Sequence, residues 1–130
     1  MIGPVQKAIR RSTFAGQRLH TPGKQAPFSV RAVDERGVTL LFGSKETPTL
    51  VEWQCLEGIP GFLAGKGWVR VGTVFYVAGD PSTLDGYLKG YINRGTATWV
   101  ASLLESAGVV EIRREVPLQV RLSPGWVGGL

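Results

Sequence analysis

Hydrophobic and polar residues alternate in two neighbouring stretches of the chain, "FSVRAV" and "GVTLLFG". The apolar residues that recur at every second position are Phe28, Val30, Ala32, Val38, Leu40 and Phe42. The charged segment "DERG" lies between the two stretches. A period of two is typical of a strand with one buried face, so the pair predicts a β-hairpin. The segment "SKETPT" that follows is predicted to be a loop closed by Pro48.

Beyond this hairpin the apolar spacing changes to three and four residues. The segment "LVEWQCLEGIPGFLAGKG" predicts one kinked helix or two short ones, because Gly58 and Pro60 interrupt its apolar face. "WVRVGTVFYV" is rich in β-branched and aromatic residues and predicts a strand. Two helices follow. "TLDGYLKGYI" has Ser82 or Thr83 as its N-cap, and residues 96–107 form a helix that Gly108 ends.

The C-terminal part of the chain predicts a second hairpin and a tail. "VVEIR" and "LQVRL" are short apolar-alternating runs separated by "REVP". Residues 124–130, "PGWVGGL", follow as a tail. With 130 residues, 43% of them hydrophobic, the chain is long enough for one domain or for a small domain with an extension. No apolar run approaches the roughly 18 residues that a membrane span needs, and the N-terminus does not resemble a signal peptide.

Residue types that carry enzymatic or metal chemistry are sparse. Cys55 is the only cysteine, and His20 is the only histidine. Because Cys55 lies among apolar residues in "VEWQCLEGI", it is predicted to be a buried structural thiol. Asp34 and Glu35 fit a solvated hairpin loop better than acid–base catalysis. The sequence therefore predicts a cytoplasmic protein that is not an enzyme, with no catalytic residues, no metal and no cofactor.

Positive charge is concentrated at the N-terminus. The net charge is +5, and the chain up to Val33 contains six basic residues and no acidic one. These residues are Lys7, Arg10, Arg11, Arg18, Lys24 and Arg31. The remaining nine basic residues face ten acidic ones. A basic arm beside a nearly neutral body is typical of proteins that contact polyanions, and the alternative is a solvated, solubilising tail.

The element order over residues 50–122 is helix, strand, helix, turn, helix, strand, strand. Together with "WVASLLESAGVVEI", a leucine pair followed by a glycine and an aliphatic strand, this order resembles the winged-helix variant of the helix-turn-helix. The resemblance implies an α+β fold with three parts. They are a basic arm and β-hairpin extension over residues 1–45, a winged-helix domain over 46–123, and the tail over 124–130.

The resemblance also implies roles in DNA binding. "TLDGYLKGYI" becomes the supporting helix, residues 96–106 the recognition helix in the major groove, and "IRREVP" the wing tip. Phosphate contacts are expected from the turn, the wing and the arm. The implied DNA-binding residues are Arg10, Arg11, Arg18, Lys24, Lys89, Asn93, Arg94, Thr96, Thr98, Ser102, Arg113 and Arg114.

The outward face of the predicted recognition helix is small and nearly neutral. Its residues are Ala97, Thr98, Ala101, Ser102 and Glu105. Because Arg, Lys, Asn and Gln are missing from it, base readout is expected to be modest. Small residues can contact the methyl group of thymine or of a modified cytosine.

Two functions from different classes follow. The first is a protein that binds double-stranded DNA, with modified bases included. It would act as a transcription regulator, as a nucleoid-associated protein or as a reader module. The second is an adaptor that uses the neutral helix face to bind a protein partner or a second copy of the chain. Fold resemblance alone does not choose between them.

Overall fold

The protein has an α+β fold built on two antiparallel sheets, as the sequence predicts. The computed structural model describes residues 2–42, 47–72, 80–92, 95–115 and 117–126. None of the helices in these ranges is long and apolar enough to cross a membrane.

The N-terminal part consists of one helix and a four-stranded sheet in the order β1-β2-β3-β4, in which each strand runs antiparallel to its neighbour. Its elements are α1 (Pro4–Ser12), β1 (Arg18–His20), β2 (Pro27–Val33), β3 (Gly37–Phe42) and β4 (Thr47–Glu52).

The C-terminal part contains four helices and a three-stranded sheet in the order β5-β7-β6. Its elements are α2 (Trp53–Glu57), α3 (Ile59–Leu63), β5 (Val69–Arg70), α4 (Leu84–Lys89), α5 (Ala97–Ser106), β6 (Val110–Arg113) and β7 (Gln119–Leu122).

Both predicted hairpins are confirmed. Strands β2 and β3 pair with Val30 opposite Leu40, and both side chains are buried. A bulge at Arg31 interrupts the register between Val30 and Ala32. Strands β6 and β7 pair with Ile112 opposite Val120. In the first hairpin five of the six apolar residues of the alternating pattern are buried, and Ala32, which follows the bulge, is partly buried.

The helix predictions are confirmed in position and corrected in their bounds. Thr83 is the N-cap of α4, where its hydroxyl oxygen accepts a hydrogen bond from the Gly86 amide at 3.0 Å. Gly108, with a φ of 79°, follows the end of α5. The prediction that residues 47–49 form a loop and that a helix begins at residue 50 is wrong, because residues 47–52 form β4. Pro48 is tolerated there since β4 is an edge strand that pairs only with β3.

The sequence pattern predicted no helix in the basic N-terminal arm, but residues 4–12 form α1. Pro4 suits the first helical turn, where no amide hydrogen is needed. Val5, Ala8 and Ile9 are buried and form one face of the helix. The first sheet also crosses the predicted boundary at residue 45, since β3 pairs with β4.

A carboxylate from α2 caps the N-terminus of α1. Glu57 Oε1 accepts a hydrogen bond from the Val5 amide at 3.1 Å, and Oε2 accepts one from the Gln6 amide at 2.8 Å. These amides have no partner within the helix, and negative charge favours the positive end of the helix dipole. Gly3 fits directly against this carboxylate, which a side chain at that position would displace.

We expect Glu57→Ala to lower the free energy of unfolding by about 1–2 kcal/mol, because it leaves two α1 amides without their acceptor. Urea denaturation followed by circular dichroism measures the change. Glu35→Ala is the matched control, because Glu35 is exposed in the loop between β2 and β3. Equal midpoints for the two variants would show that the cap does not stabilise the fold.

The two sheets and the helices share one hydrophobic core with α5 near its centre. Val100, Leu103 and Leu104 are fully buried in α5. The Trp99 ring stacks on the Phe42 ring of β3, with a centroid distance of 4.0 Å. Residues 4–42 therefore contribute to the same core as the rest of the chain.

Candidate nucleic-acid interface

The face of α5 that was predicted to read DNA is covered by the N-terminal part of the chain. The Ser102 hydroxyl donates a hydrogen bond of 2.7 Å to the His20 carbonyl oxygen in β1. Ala101 is fully buried, and Ser102 is only 7% exposed. The prediction that Ala97, Ala101 and Ser102 face outward is wrong, because β1 and α1 pack against this helix.

The remaining predicted contacts of this helix are also limited. Thr96 is fully buried at the start of α5, so its side chain is not exposed for the predicted DNA contact. Thr98 and Glu105 are only partly exposed. Asn93 and Arg94, which were predicted to bind phosphate at the turn, lie outside the described residues.

The two arginines of the predicted wing already have partners. Arg114 forms two hydrogen bonds of 2.7 Å to the Glu105 carboxylate. Hydrogen bonding to Glu105 raises the pKa of Arg114 above its usual value. The Arg113 guanidinium lies over the Trp68 ring, 4.4 Å from its centroid, and donates to the Gln119 side-chain oxygen. A phosphate at this hairpin would have to compete with these contacts.

Other cations of the C-terminal part are held in the same way. Lys89 Nζ lies 3.4 Å from Asp85 Oδ2, one helical turn earlier. Arg121 pairs with Glu111 at 2.7 Å and also lies over Trp68, 4.6 Å from the ring centroid. Sequence reasoning missed Arg121 and Trp68, although the alternation of β7 could have placed Arg121 beside Arg113.

The described cations of the N-terminal part are exposed and differ from those of the C-terminal part in their partners. Within the described ranges, the ion pairs with carboxylates are those of Lys89, Arg114 and Arg121, all in the C-terminal part. Arg10 donates to the Asp34 carbonyl oxygen at 3.1 Å and lies 5.5 Å from the Trp53 ring centroid. Neither group is a carboxylate, so the charge of Arg10 is not neutralised by these contacts.

Hydrogen bonds fix the segment that joins α1 to β1. The Gly16 amide donates to the Val30 carbonyl oxygen at 2.7 Å, and the Val30 amide donates to the Gln17 carbonyl oxygen at 2.8 Å. Arg18 then pairs with Ser29 in the sheet. Arg31 follows Val30 directly, at the bulge of β2. Arg18 and Arg31 are therefore brought close to the end of α1 by the backbone itself.

Lys24 lies at the far end of the β1–β2 connection. The Thr21 carbonyl and hydroxyl oxygens accept hydrogen bonds from the Gln25 and Ala26 amides, which close this loop. Gly23 approaches Leu118, just before β7. Lys24 therefore lies toward the C-terminal hairpin.

We call the exposed cations of the first 33 residues the basic N-terminal surface. They are Lys7, Arg10, Arg11, Arg18, Lys24 and Arg31. Four of them were predicted as DNA-binding residues, and Lys7 and Arg31 were not. The signal that identifies all six is the lack of any acidic residue before Asp34.

Cys55 is buried, as predicted. It is 0% exposed, and burial, with a smaller contribution from the charge of Glu52, raises its pKa to about 12. A buried thiol that stays protonated is a poor nucleophile.

We expect the folded protein to resist alkylation by iodoacetamide at pH 8, where about one thiol in ten thousand is ionised if the pKa is about 12. Mass spectrometry measures the adduct. Denaturation in urea should make the same thiol react at the rate of an ordinary cysteine. Comparable rates in the folded and unfolded chain would contradict the buried, protonated state.

Comparisons of this chain with protein-family models, with curated proteins and with solved structures found no match. The functional argument therefore depends on the geometry of the chain itself.

Proposed function

We propose that this protein binds DNA through the basic N-terminal surface, by contacts mainly with phosphates. The observation that carries the proposal is the difference between the two parts of the molecule. Among the described cations of the C-terminal part, Lys89, Arg114 and Arg121 form ion pairs with carboxylates. Those of the basic N-terminal surface are exposed and form no ion pair with a described carboxylate.

This difference matters because a phosphate contact contributes most to the free energy of binding where the phosphate replaces only water and counterions. DNA carries one negative charge per about 1.7 Å of duplex, and cations that neutralise it release condensed counterions. At Arg114 or Arg121, a phosphate would first have to displace Glu105 or Glu111. At Arg11, Arg18 or Arg31 no carboxylate of the described ranges has to be displaced.

The proposal includes a winged-helix scaffold for residues 53–122. The order α2, α3, β5, α4, α5, β6, β7 supports it, because it repeats the order of helices and strands on which the resemblance depends. In this proposal α5 is a packing helix and does not enter the major groove. Sequence-specific readout by α5 is therefore not part of the function, and discrimination among DNA sequences is expected to be weak.

Fluorescence anisotropy with a labelled oligonucleotide tests the proposal. Six neutralised phosphates, one for each cation of the basic N-terminal surface, predict a slope of about −5 in a plot of log affinity against log salt concentration for duplex DNA. Affinity should therefore fall by about a hundredfold or more between about 50 and 200 mM salt. No binding to duplex or single-stranded DNA at the lowest salt would refute the proposal.

A second candidate function is an adaptor for a protein partner. The neutral face of α5 cannot be its contact, because that face is buried. Tyr91, however, is 44% exposed, and its ring lies 5.5 Å from that of Tyr87, which lies 5.0 Å from that of Phe62. An exposed aromatic group of this kind is typical of protein interfaces, and it would be the contact surface if DNA binding is absent.

A further inference from the structure

Phe14 is an exposed aromatic residue within the basic N-terminal surface. It is 63% exposed, more than Ile2 at 48% or Tyr91 at 44%, the other large hydrophobic residues that are exposed in the described ranges. Phe14 belongs neither to the buried core nor to the partly buried side chains packed on it. The fold therefore does not need a phenyl ring at this position.

The turn that carries this ring is held by its own hydrogen bonds. The Phe14 amide donates to Gln17 Oε1 at 3.2 Å, and the Gln17 amide donates to the Phe14 carbonyl oxygen at 3.1 Å. Gln17 Nε2 donates to the Ser12 carbonyl oxygen at 3.4 Å, and Gly16 adopts a φ of 92° at the turn. Gly16 also donates to Val30 across the edge of the sheet. The backbone of Phe14 is thus ordered before any ligand binds, which reduces the entropy cost of binding.

Exposed guanidinium groups lie on both sides of this turn. Arg11 is in the last turn of α1, three residues before Phe14, and Arg18 begins β1, four residues after it. Arg31 follows Val30, the residue to which the turn is hydrogen-bonded. All three arginines are exposed. The exposed Phe14 ring therefore lies on a turn that Arg11 and Arg18 flank along the chain and that is hydrogen-bonded to the residue before Arg31.

We propose that Phe14 stacks on an unpaired base, so that the preferred ligand is single-stranded nucleic acid whose phosphates contact Arg11, Arg18 and Arg31. This inference rests on the proposed function and specifies its ligand. An aromatic face beside a cationic path is the combination that binds single strands without sequence readout. An unpaired base offers a free face to the ring, whereas in a duplex the neighbouring bases would first have to be unstacked.

Three ligands of equal length distinguish the contribution of base stacking to affinity from that of phosphate charge. They are a single-stranded oligonucleotide, an abasic strand with the same number of phosphates, and a duplex. Four proteins are compared by anisotropy at one salt concentration: the wild-type chain, Phe14→Ala, Phe14→Leu and Phe14→Trp. Leucine keeps an apolar side chain without a π-face, and tryptophan keeps the ability to stack. Circular dichroism checks that each variant is folded.

We expect Phe14→Ala and Phe14→Leu to lose about tenfold to a hundredfold in affinity for the single strand, and Phe14→Trp to retain it. Affinity for the abasic strand should be the same for all four proteins. If the wild-type chain binds the single strand and the abasic strand with equal affinity, the stacking proposal is overturned. If that binding to both strands still depends on salt, the proposed function stands. If Phe14→Ala and Phe14→Leu lose affinity only for the duplex, the stacking proposal is also overturned. If the wild-type chain binds none of the ligands at low salt, both proposals fail.

Discussion

Replacing Arg11, Arg18 and Arg31 together by glutamine is expected to lower the affinity for DNA about a hundredfold at low salt. Each cation is exposed, and none forms an ion pair with a described carboxylate. Three phosphate contacts of roughly 1 kcal/mol each account for this loss. The slope of log affinity against log salt should become shallower by about 3, because each lost phosphate contact removes about one unit. Anisotropy titrations at several salt concentrations measure both quantities.

The matched control for this variant removes the same number of positive charges from the C-terminal part. Replacing Arg113, Arg114 and Arg121 by glutamine also removes three positive charges, but from residues that contact Trp68, Glu105 and Glu111. We expect its affinity and salt slope to stay close to those of the wild-type chain. If the control loses as much affinity as the N-terminal variant, net charge and not the basic N-terminal surface determines binding. If only the control loses affinity, the wing is the contact after all.

Ser102→Arg is expected to destabilise the fold by at least about 3 kcal/mol. Ser102 is 7% exposed and donates to the His20 carbonyl oxygen, so a longer charged side chain must displace β1 or be buried without a partner. A recognition helix that faces solvent would predict the opposite, with unchanged stability and tighter DNA binding. Urea unfolding followed by tryptophan fluorescence distinguishes the two outcomes.

Ser106→Arg is the control on the same helix. Ser106 is exposed in the last turn of α5, where positive charge favours the negative end of the helix dipole. The stability of the Ser106→Arg variant should be equal to or slightly above that of the wild-type chain. If Ser102→Arg unfolds at the same urea concentration as Ser106→Arg, the packing of β1 against α5 is wrong.

Elements with strong local signals were predictable from the sequence. The β2–β3 hairpin follows from alternation, and the start of α4 follows from the Thr83 N-cap. Strand β4 was missed because Pro48 indicates a loop, and only its place at the edge of the sheet makes the proline acceptable. Helix α1 was missed because its stability depends on packing and on a cap from Glu57, 51 residues away from Gln6.

The outward face of α5 could not be assigned from the helix alone. Ala97, Ala101 and Ser102 are small, and small side chains suit either an exposed surface or a close approach of another element. Here β1 approaches them, as the hydrogen bond from Ser102 to His20 shows. The two residues are 82 positions apart, and the sequence carries no local signal for that contact.

Part of the candidate interface was visible in the sequence, because the run without acidic residues before Asp34 marks the basic N-terminal surface. The assignment of Arg113 and Arg114 to DNA failed to account for Trp68 and Glu105, which the hairpin and α5 bring to them. Charge counting finds the regions that carry excess charge. It does not show which cations are already paired in three dimensions.

Backbone amide chemical-shift mapping by NMR with a short DNA oligonucleotide tests the central claim most directly. The account predicts that the largest shifts fall in residues 7–18 and around Lys24 and Arg31, while the amides of residues 97–106 and 110–115 change little. Shifts concentrated in residues 97–106 and 110–115, with residues 7–18 unaffected, would contradict it.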